Sequence, residues 1–248
     1  MKQTAYIKEI FPSIQGEGLF AGQPQVFLRF SNCNLNCRYC DTDSRKAEKC
    51  LVHRDAFGKE INRIANPLSV ETVLAILDGL ETDSKVLALT GGEPLLWDEF
   101  LLELLPELTQ RGWKILLETN GTLHTEFRRI AGLIDIVAMD IKLPSVGGHD
   151  PVWEQHGQFL ESIHEKLCAY FKVVINSYVS DDDLIKTAGC LSGTSNEKVV
   201  FLQPESWDRQ FTNKDIQKLF SVQSRLLDEL PGYDIRIFPQ IHKVLSVS

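Results

Sequence analysis

The chain contains 248 residues, of which 43% are hydrophobic and 24% charged, and its formal net charge is −8. That length and composition predict one α/β domain with a substantial buried core. The negative charge argues against a nucleic-acid partner, and no apolar run approaches the roughly 20 residues that cross a membrane. Because the N-terminal residues lack the apolar region of a signal peptide, we expect a cytoplasmic, reducing location. The six cysteines are then ligands or free thiols rather than disulfides.

Short apolar segments rich in β-branched residues alternate with helical patterns along the chain. Strands are predicted at Val26–Phe30, Lys85–Leu89, Lys114–Leu117, Ile134–Met139, Phe171–Ile175, Lys198–Leu202 and Asp234–Ile237. Helices are predicted at Ser69–Leu80, with Ser69 as the N-cap, and at Asp98–Gln110, Phe159–Leu167, Asp181–Leu191 and Asn213–Leu230. The alternation indicates βαβ units around a parallel sheet. We expect an incomplete (β/α) barrel open on one side, because the run of units is too short for a closed ring of eight.

The polar and charged segment 43–67 interrupts the alternation of strand and helix patterns. We interpret the chain as a single domain over residues 1–248, with 43–67 as an insertion that covers a neighbouring site. An exposed, decorated loop is an equally acceptable interpretation, and the sequence does not predict a role for the segment.

Three cysteines lie in one loop directly after the first predicted strand: Cys33, Cys37 and Cys40, with the spacing C-x3-C-x2-C. No fourth cysteine follows at a comparable interval. Four-iron clusters usually take four thiolates. Three thiolates therefore predict a cluster with one open iron, and an open metal position can bind a substrate or cofactor. The alternative is zinc, which usually takes four ligands in a closed site; His53 is the nearest histidine.

The motif Leu89-Thr-Gly-Gly-Glu-Pro94 follows the second predicted strand. Two glycines let a backbone approach a ligand closely, although the motif alone would be interpreted as a turn. With the aromatic Tyr39 before the last cysteine, the cysteine spacing resembles the cluster motif of the radical S-adenosylmethionine (SAM) superfamily. In that superfamily the open iron chelates SAM, and one electron from the cluster releases a 5′-deoxyadenosyl radical. The resemblance assigns Gly92 to the amino group of SAM, with Thr90 and Glu93 beside it.

Further motifs narrow the resemblance. They are Phe11-Pro-Ser-Ile-Gln-Gly-Glu-Gly18, Val26-Phe-Leu-Arg-Phe30, Cys40-Asp-Thr42, Glu118-Thr-Asn-Gly-Thr122, Asp140-Ile-Lys-Leu-Pro144, Phe171-Lys-Val-Val-Ile175, Phe201-Leu-Gln-Pro204 and the segment from Phe238 that contains His242-Lys243. Together and in this order they resemble the 7-carboxy-7-deazaguanine synthase family. Members of that family are ring-contracting lyases of queuosine and 7-deazapurine biosynthesis. They convert 6-carboxy-5,6,7,8-tetrahydropterin to 7-carboxy-7-deazaguanine and release ammonia.

The resemblance implies a [4Fe-4S] cluster on the three cysteines, SAM, and Mg2+ on Thr42, which would otherwise be a local turn hydroxyl. The substrate contacts that it implies come from Ile14, Gln15, Gly16, Arg29, Thr90, Glu118 and Ser248. A guanidinium forms bidentate bonds to a planar carboxylate, which suits Arg29, and an ionised carboxylate such as Glu118 accepts hydrogen bonds from an amino–imino edge. The alternatives are a surface arginine on an edge strand and a salt bridge of Glu118 with Lys114.

For SAM, the resemblance implies contacts from Tyr39, Cys40, Asp41, Gly92, Asp140, Ile141, Lys142, Gln203, Pro204, Glu205 and Ser206. It also implies a small electron-donor protein such as flavodoxin or ferredoxin, and a homodimer to which the helix Asn213–Leu230 could contribute. A glycyl-radical activase has a similar cysteine motif but does not account for Gln15-Gly-Glu-Gly18 or His242-Lys243. A non-catalytic zinc module is the third alternative.

Overall fold

A ten-stranded sheet runs through the computed structural model, which describes residues 3–43, 45–55, 61–194, 199–205 and 212–245. The described strands are β1 (Thr4–Ala5), β2 (Ile7–Ile14), β3 (Pro24–Phe30), β4 (Lys49–His53), β5 (Ile61–Ala65), β6 (Leu68–Ser69), β7 (Val86–Gly91), β8 (Lys114–Thr119), β9 (Ile136–Ile141), β10 (Cys168–Ile175), β11 (Val199–Pro204) and β12 (Asp234–Ile237). The order in the large sheet is β12-β11-β10-β9-β8-β7-β3-β2-β4-β5, and β1 pairs with β6 separately.

Helices connect the parallel strands. They are α1 (Val70–Asp78), α2 (Asp98–Gln110), α3 (His124–Ile130), α4 (Pro144–Gly147), α5 (Trp153–Ser162), α6 (Asp181–Leu191), α7 (Asn213–Glu229) and α8 (Ile241–Leu245). The predicted N-cap of α1 is confirmed, because the Ser69 hydroxyl accepts from the Thr72 backbone N–H at 3.3 Å. Side-chain caps also begin α6, at Ser180, and α7, at Thr212. None of the described helices is long and apolar enough to span a membrane.

The predicted incomplete barrel is confirmed. From β3 through β7 to β12, neighbouring strands are parallel and follow the chain order, as in successive βα units. The two outermost strands of the sheet, β12 and β5, do not pair with each other in the described part of the chain, so the sheet stays open on one side. The carboxyl ends of the parallel strands therefore meet along one accessible edge.

One predicted helix is displaced. The helix predicted at Phe159–Leu167 is observed as α5, which begins at Trp153 and ends at Ser162, where Ile163 has extended backbone dihedral angles. Pro151 lies directly before Val152, the N-cap of α5, and therefore outside the helix. The strand that follows, β10, begins at Cys168, three residues earlier than predicted.

Eight described elements have no counterpart in the prediction, namely β1, β2, β4, β5, β6, α3, α4 and α8, and two of them show the reason. The strand β2 contains two charged residues and Pro12, and these obscured its period. It pairs antiparallel with β3 and parallel with β4, and thereby extends the sheet beyond the parallel units. Helix α3, the second, has only seven residues, which is too few for its period to stand out in the sequence.

The described parts of segment 43–67 carry β4 and β5. These strands form an antiparallel pair, and β4 adds to the sheet beside β2. The segment is thus built into the sheet, and whether it is an insertion relative to other proteins stays a prediction.

Two apolar layers cover the faces of the sheet. The larger core lies between the sheet and the helices and includes Leu28, Leu89, Leu117 and Val137. A smaller cluster on the inner face contains Phe11, Phe27, Ala88, Leu116, Ile136, Tyr170 and Phe201. Because side chains alternate along a strand, each parallel strand presents one set of residues to each layer.

Candidate active site

The inner face of the half-barrel changes from apolar to polar along each parallel strand. On β3, Phe27 belongs to the inner apolar cluster, and Arg29, two residues further on, points to the same side. The equivalent pairs two residues apart are Ala88 and Thr90, Leu116 and Glu118, Tyr170 and Lys172, and Phe201 and Gln203. On β9 the apolar Ile136 and the polar Asp140 are four residues apart and point to the same side. The polar members line a cavity of about 440 Å³ at the carboxyl ends of the strands. This edge is where open α/β sheets bind ligands.

The cysteine loop forms one wall of this cavity, and Cys33, Cys37 and Cys40 all line it. The loop is held by backbone hydrogen bonds from Arg38 N to Gly147 O (2.8 Å) and from Cys40 N to Cys37 O (3.1 Å). The other three cysteines lie on β4, β10 and α6, away from the cavity lining. Three thiols, and no fourth from the described chain, are thus available there.

The thiols fit a cationic cluster. Burial raises the pKa of Cys33 and of Cys37, and Cys33 and Cys40 raise the pKa of Cys37 further, so the three thiols lie close enough to repel one another as thiolates. A bound metal centre removes this obstacle by deprotonating its ligands. In the described residues, no three His, Cys, Asp or Glu side chains converge on a single metal ion. A cubane does not require such convergence, since each thiolate binds a different iron.

The Gly-Gly-Glu-Pro loop packs directly against the cysteine loop. Gly92 N donates to Phe30 O (3.0 Å) and Glu93 N to Asn32 O (2.8 Å). A Cβ on Gly92 would lie 1.7 Å from Asn32 O, so only glycine fits there. Glu93 is fully buried and accepts from Thr119 Oγ1 at 2.8 Å. Burial raises the pKa of Glu93 to about 7.

A chain of alternating charges crosses the cavity. Lys172 Nζ lies 2.5 Å from Glu17 Oε2 and 3.4 Å from Asp140 Oδ2, and Lys142 Nζ lies 2.7 Å from Asp140 Oδ2. Burial raises the pKa of Asp140 and of Glu17, but the neighbouring ammonium groups outweigh it and hold both values below their usual range. Lys142 Nζ also lies 5.2 Å from the centre of the Tyr39 ring. These charges stay ionised because each has an opposite partner.

Asp140 keeps one oxygen available for a ligand. Oδ2 accepts from both lysines, whereas Oδ1 is buried and has no hydrogen-bond partner within the described part of the chain. Buried polar atoms are almost always paired in native proteins. An unpaired carboxylate oxygen at the cavity wall therefore fits a hydroxyl or ammonium group of a bound cofactor such as SAM.

Arg29 is fixed from two sides on an interior strand. Its Nε donates to Glu9 Oε2 at 3.2 Å and its guanidinium to Thr42 Oγ1 at 3.4 Å. Glu9 Oε1 lies 3.3 Å from His53 Nε2 on β4, so segment 43–67 reaches the site through this histidine. The alternative of an edge-strand surface arginine is wrong, because β3 lies between β2 and β7.

Glu118 lies at the base of the cavity. It accepts from Gln15 Nε2 (3.0 Å) and from Thr90 Oγ1 (2.6 Å), and these contacts replace the salt bridge with Lys114 that was the alternative. Burial and the nearby Glu17 raise the pKa of Glu118. Gln15 and Thr90 both line the cavity themselves, so the three residues form one hydrogen-bonded surface.

Helix α8 closes the cavity from the far end of the chain. Gln240 Nε2 donates to Glu17 Oε1 at 2.6 Å, and Ile241 N donates to Gly16 O at 2.9 Å. A Cβ on Gly16 would lie 1.8 Å from His242 Nδ1. Lys243 Nζ reaches Asp41 Oδ2. The loop that carries Gln15 to Glu17 therefore fits under α8 only with glycine at position 16.

Most of the predicted site residues meet in this single cavity. Those that line it are Ile14, Gln15, Gly16, Arg29, Cys33, Cys37, Tyr39, Cys40, Asp41, Thr42, Thr90, Gly92, Glu118, Asp140, Lys142, Gln203 and Glu205. Ile141 and Pro204 do not line it: Ile141 packs in the helix-side core, since it alternates with Asp140 and Lys142. Ser206 and Ser248 lie outside the described residues.

Several cavity residues carried no predicted role. They include Glu9, Glu17, Asn120, Tyr170, Lys172, Gln240, His242 and Lys243. Lys172 had a usable signal in the sequence, because it is a charged residue inside an apolar strand. The tail residues had only the family motif His242-Lys243, since no local pattern predicts where residues 240–243 dock.

Comparison with known proteins agrees with this geometry. The sequence model described as the Radical SAM superfamily matches residues 28–186. The half-barrel, its three-cysteine loop and this match define a radical SAM protein. A 7-carboxy-7-deazaguanine synthase from Geobacter sulfurreducens is 33% identical over 99% of this chain and 98% of the relative. One from Methanopyrus kandleri is 36% identical over 97% and 93%. The chain belongs to the 7-carboxy-7-deazaguanine synthase family.

Solved structures share the fold. QueE from Escherichia coli aligns with a TM-score of 0.60 and 22% identity, covering 94% of this chain and 92% of that one. TYW1 with a lysine–pyruvate adduct aligns with a TM-score of 0.53 and 14% identity, covering 82% and 73%. At these identities the likeness concerns the arrangement of strands and helices.

Proposed function

We propose that this protein is a radical SAM lyase that converts 6-carboxy-5,6,7,8-tetrahydropterin to 7-carboxy-7-deazaguanine with release of ammonia, in queuosine and 7-deazapurine biosynthesis. The observation that carries the proposal is the shared cavity. One space brings the three cysteines together with Arg29, Thr42 and the Gln15–Thr90–Glu118 surface. Relatives bearing that enzyme name match along nearly the whole chain.

Membership of the superfamily implies a [4Fe-4S] cluster and SAM. When bound, they supply a carbon-centred radical that removes a hydrogen atom from the substrate. Cys33, Cys37 and Cys40 would hold the cluster. Asp140, through its unpaired Oδ1, and Lys142 would hold polar groups of SAM. The protein's remaining task is to place the substrate and to exclude competing reactions.

The substrate's carboxylate matches Arg29. Glu9 holds the Nε edge of the guanidinium, which leaves its terminal nitrogens aimed toward Thr42 and the cavity. Thr42 Oγ1 lies 3.4 Å from Asp41 Oδ1, and hydroxyl and carboxylate oxygens are the ligands that Mg2+ prefers. Thr42 would hold Mg2+, which would supply positive charge beside the substrate carboxylate, and Arg29 would orient that carboxylate.

The opposite end of the pterin carries an amino–imino edge with several N–H donors. Glu118 supplies carboxylate acceptors at the cavity base, and Gln15 and Thr90 orient that carboxylate. Donors on the substrate would stabilise the ionised carboxylate, whose pKa burial and Glu17 raise. Arg29 and Glu118 thus recognise two chemically different ends of one flat molecule.

The further features of the proposal are a small electron donor such as flavodoxin or ferredoxin, a homodimer and a cytoplasmic location. The exposed Ile216, Phe220 and Leu227 on α7 support an apolar contact between two copies.

An anaerobic turnover assay tests the function. Protein with a reconstituted cluster, a reductant, SAM, Mg2+ and the carboxytetrahydropterin should yield 7-carboxy-7-deazaguanine. The absence of product from fully loaded protein overturns the proposal. The variant Cys37→Ala should lose the iron chromophore and the activity together. A glycyl radical on a partner protein, with SAM consumed in proportion, would instead identify an activase.

A further inference from the structure

Three side chains next to the cysteine loop form a closed ring of hydrogen bonds. Asn120 Nδ2 donates to Asn34 Oδ1 at 2.8 Å, Asn34 Nδ2 donates to Thr122 Oγ1 at 2.7 Å, and Thr122 Oγ1 donates to Asn120 Oδ1 at 2.6 Å. The ring joins the residue after Cys33 to the turn that follows β8. Each member donates once and accepts once within it.

The ring fixes which way the Asn120 amide points. Thr122 N donates to Asn120 Oδ1 at 3.1 Å, in addition to the hydroxyl of the same residue. A flipped amide would set its NH2 group against that backbone N–H, so the network permits one orientation. The second hydrogen of Asn120 Nδ2 is then directed at Cys33 Sγ, 3.7 Å away.

The backbone of Asn120 is also anchored. Its N–H donates to Glu93 Oε2 at 2.8 Å, and its carbonyl accepts from His156 Nε2 at 3.1 Å. His156 is fully buried, and burial lowers its pKa to about 4, so it is neutral at pH 7 with its proton on Nε2. Asn120 therefore has a fixed position, a fixed orientation and an N–H group aimed at a cysteine sulfur.

Hydrogen bonds to the sulfur ligands tune the potentials of iron–sulfur clusters. An N–H donor stabilises the more negative, reduced state, and residues behind the direct ligands also hold those ligands in place. We propose that Asn120 is a positioning residue that holds Cys33 for the cluster and raises the cluster's reduction potential through an N–H···S hydrogen bond. The inference rests on the cluster of the proposed function and not on its pterin substrate.

The test is the midpoint potential of the cluster, followed by EPR in an anaerobic redox titration. Asn120→Ala removes the N–H without adding charge, and Asn120→Asp removes it with nearly the same shape. In both variants the cluster that remains bound should be harder to reduce than in wild type. The reduced-to-oxidised ratio at a fixed potential should fall about tenfold, which equals about 59 mV for a one-electron couple. Because Asp adds a negative charge, Asn120→Ala decides the question.

Thr122→Val is the matched control. It opens the ring at the hydroxyl but keeps the Asn120 N–H and the backbone donor of residue 122, so its potential should stay near that of wild type. A wild-type potential in fully loaded Asn120→Ala overturns the proposal, as does an equal shift in Thr122→Val. Iron loss from both Asn120 variants but not from Thr122→Val, at unchanged thermal stability, supports the holding role. If neither Asn120 variant folds, Asn120→Ser is measured by the same criteria.

These readouts are separate from product formation. If the cluster potential falls in Asn120→Ala but wild type forms no 7-carboxy-7-deazaguanine, the proposed function is overturned and this inference stands. Product from wild type with no shift in Asn120→Ala would do the reverse.

Discussion

Lys243 Nζ lies 2.8 Å from Asp41 Oδ2, which joins α8 to the residue that follows the last cysteine of the loop. Both side chains are partly exposed, and such ion pairs contribute about 0.2–1 kcal/mol to stability. Lys243→Met should therefore leave the thermal unfolding temperature almost unchanged. It should loosen α8 and weaken substrate binding about threefold, measured by titration calorimetry. Arg236→Met is the control, because it breaks the exposed pair with Asp234 on β12; equal effects from both would contradict a role for α8.

The close packing of Gly16 against His242 allows a steric test of how α8 closes the cavity. An alanine Cβ would lie 1.8 Å from His242 Nδ1, so Gly16→Ala should push α8 away from the loop and raise the KM for the pterin. Adding His242→Ala removes the clashing ring, and the double variant should bind substrate better than Gly16→Ala alone. Hydrogen exchange of residues 240–245 should rise in the single variant and fall back in the double. No recovery in the double variant would disprove this packing account.

Removing the Lys172 ammonium should lower the unfolding free energy far more than removing an exposed one. Lys172→Met leaves Glu17 without its ammonium partner and Asp140 with only Lys142. Breaking a buried ion pair costs about 3–5 kcal/mol of unfolding free energy. Lys186→Met, which breaks an exposed pair with Asp182, should cost about 0.5 kcal/mol and serves as the control.

The unfolding free energy lost in Lys172→Met should depend on pH. In the native protein the ammonium groups hold the pKa values of Glu17 and Asp140 below their usual range, against the effect of burial. Their contribution is present above the ordinary carboxyl pKa values and disappears as the pH falls through the lowered ones. The destabilisation by Lys172→Met should therefore be larger at pH 6 than at pH 3 in urea unfolding. A loss of unfolding free energy that is equal at pH 6 and pH 3 would argue against charge as its cause.

The contribution of Glu93 to the unfolding free energy should depend on pH in the opposite direction. Burial raises its pKa to about 7, above the unfolded value near 4.5. Its contribution is fully present below pH 4.5 and is lost as the pH rises to about 7, for a total of about 3 kcal/mol. In Glu93→Gln the unfolding free energy should decline less over that interval. Parallel curves for the two proteins would contradict the raised pKa.

Arg29→Lys tests recognition of the carboxylate. Lysine keeps the charge but loses the planar fork, and a charge-assisted hydrogen bond is worth about 1.5–3 kcal/mol. Substrate binding should weaken about 10- to 100-fold while SAM binding stays constant, measured separately on the same protein. Glu9→Gln should give a smaller change in the same direction, because it only loosens the guanidinium. Equal weakening of SAM and substrate would point to a collapsed cavity instead.

Particular residues show which features of the fold and site the sequence predicts and why it does not predict the others. The cysteine loop, the Gly-Gly-Glu-Pro loop and the parallel strands follow from local spacing and apolar patterns. The position of Arg29 follows from Phe27 by alternation along β3. In contrast, the partners of Lys172 come from the N-terminal loop and from β9, and Gln240 meets Glu17 across 223 residues. No local pattern encodes such pairings, and Pro12 obscured the strand that brings Glu9 to Arg29.

The junction of Gln240 with Glu17 has a consequence for how the protein is made. Gln240 lies 223 residues after Glu17, so this contact cannot form until the chain has been made as far as residue 240. During synthesis the half-barrel can assemble before α8 emerges, and the cavity then stays open on that side. Until α8 docks, the cavity that the three cysteines line stays accessible from that side, and docking then joins Lys243 to Asp41, directly after the last cysteine.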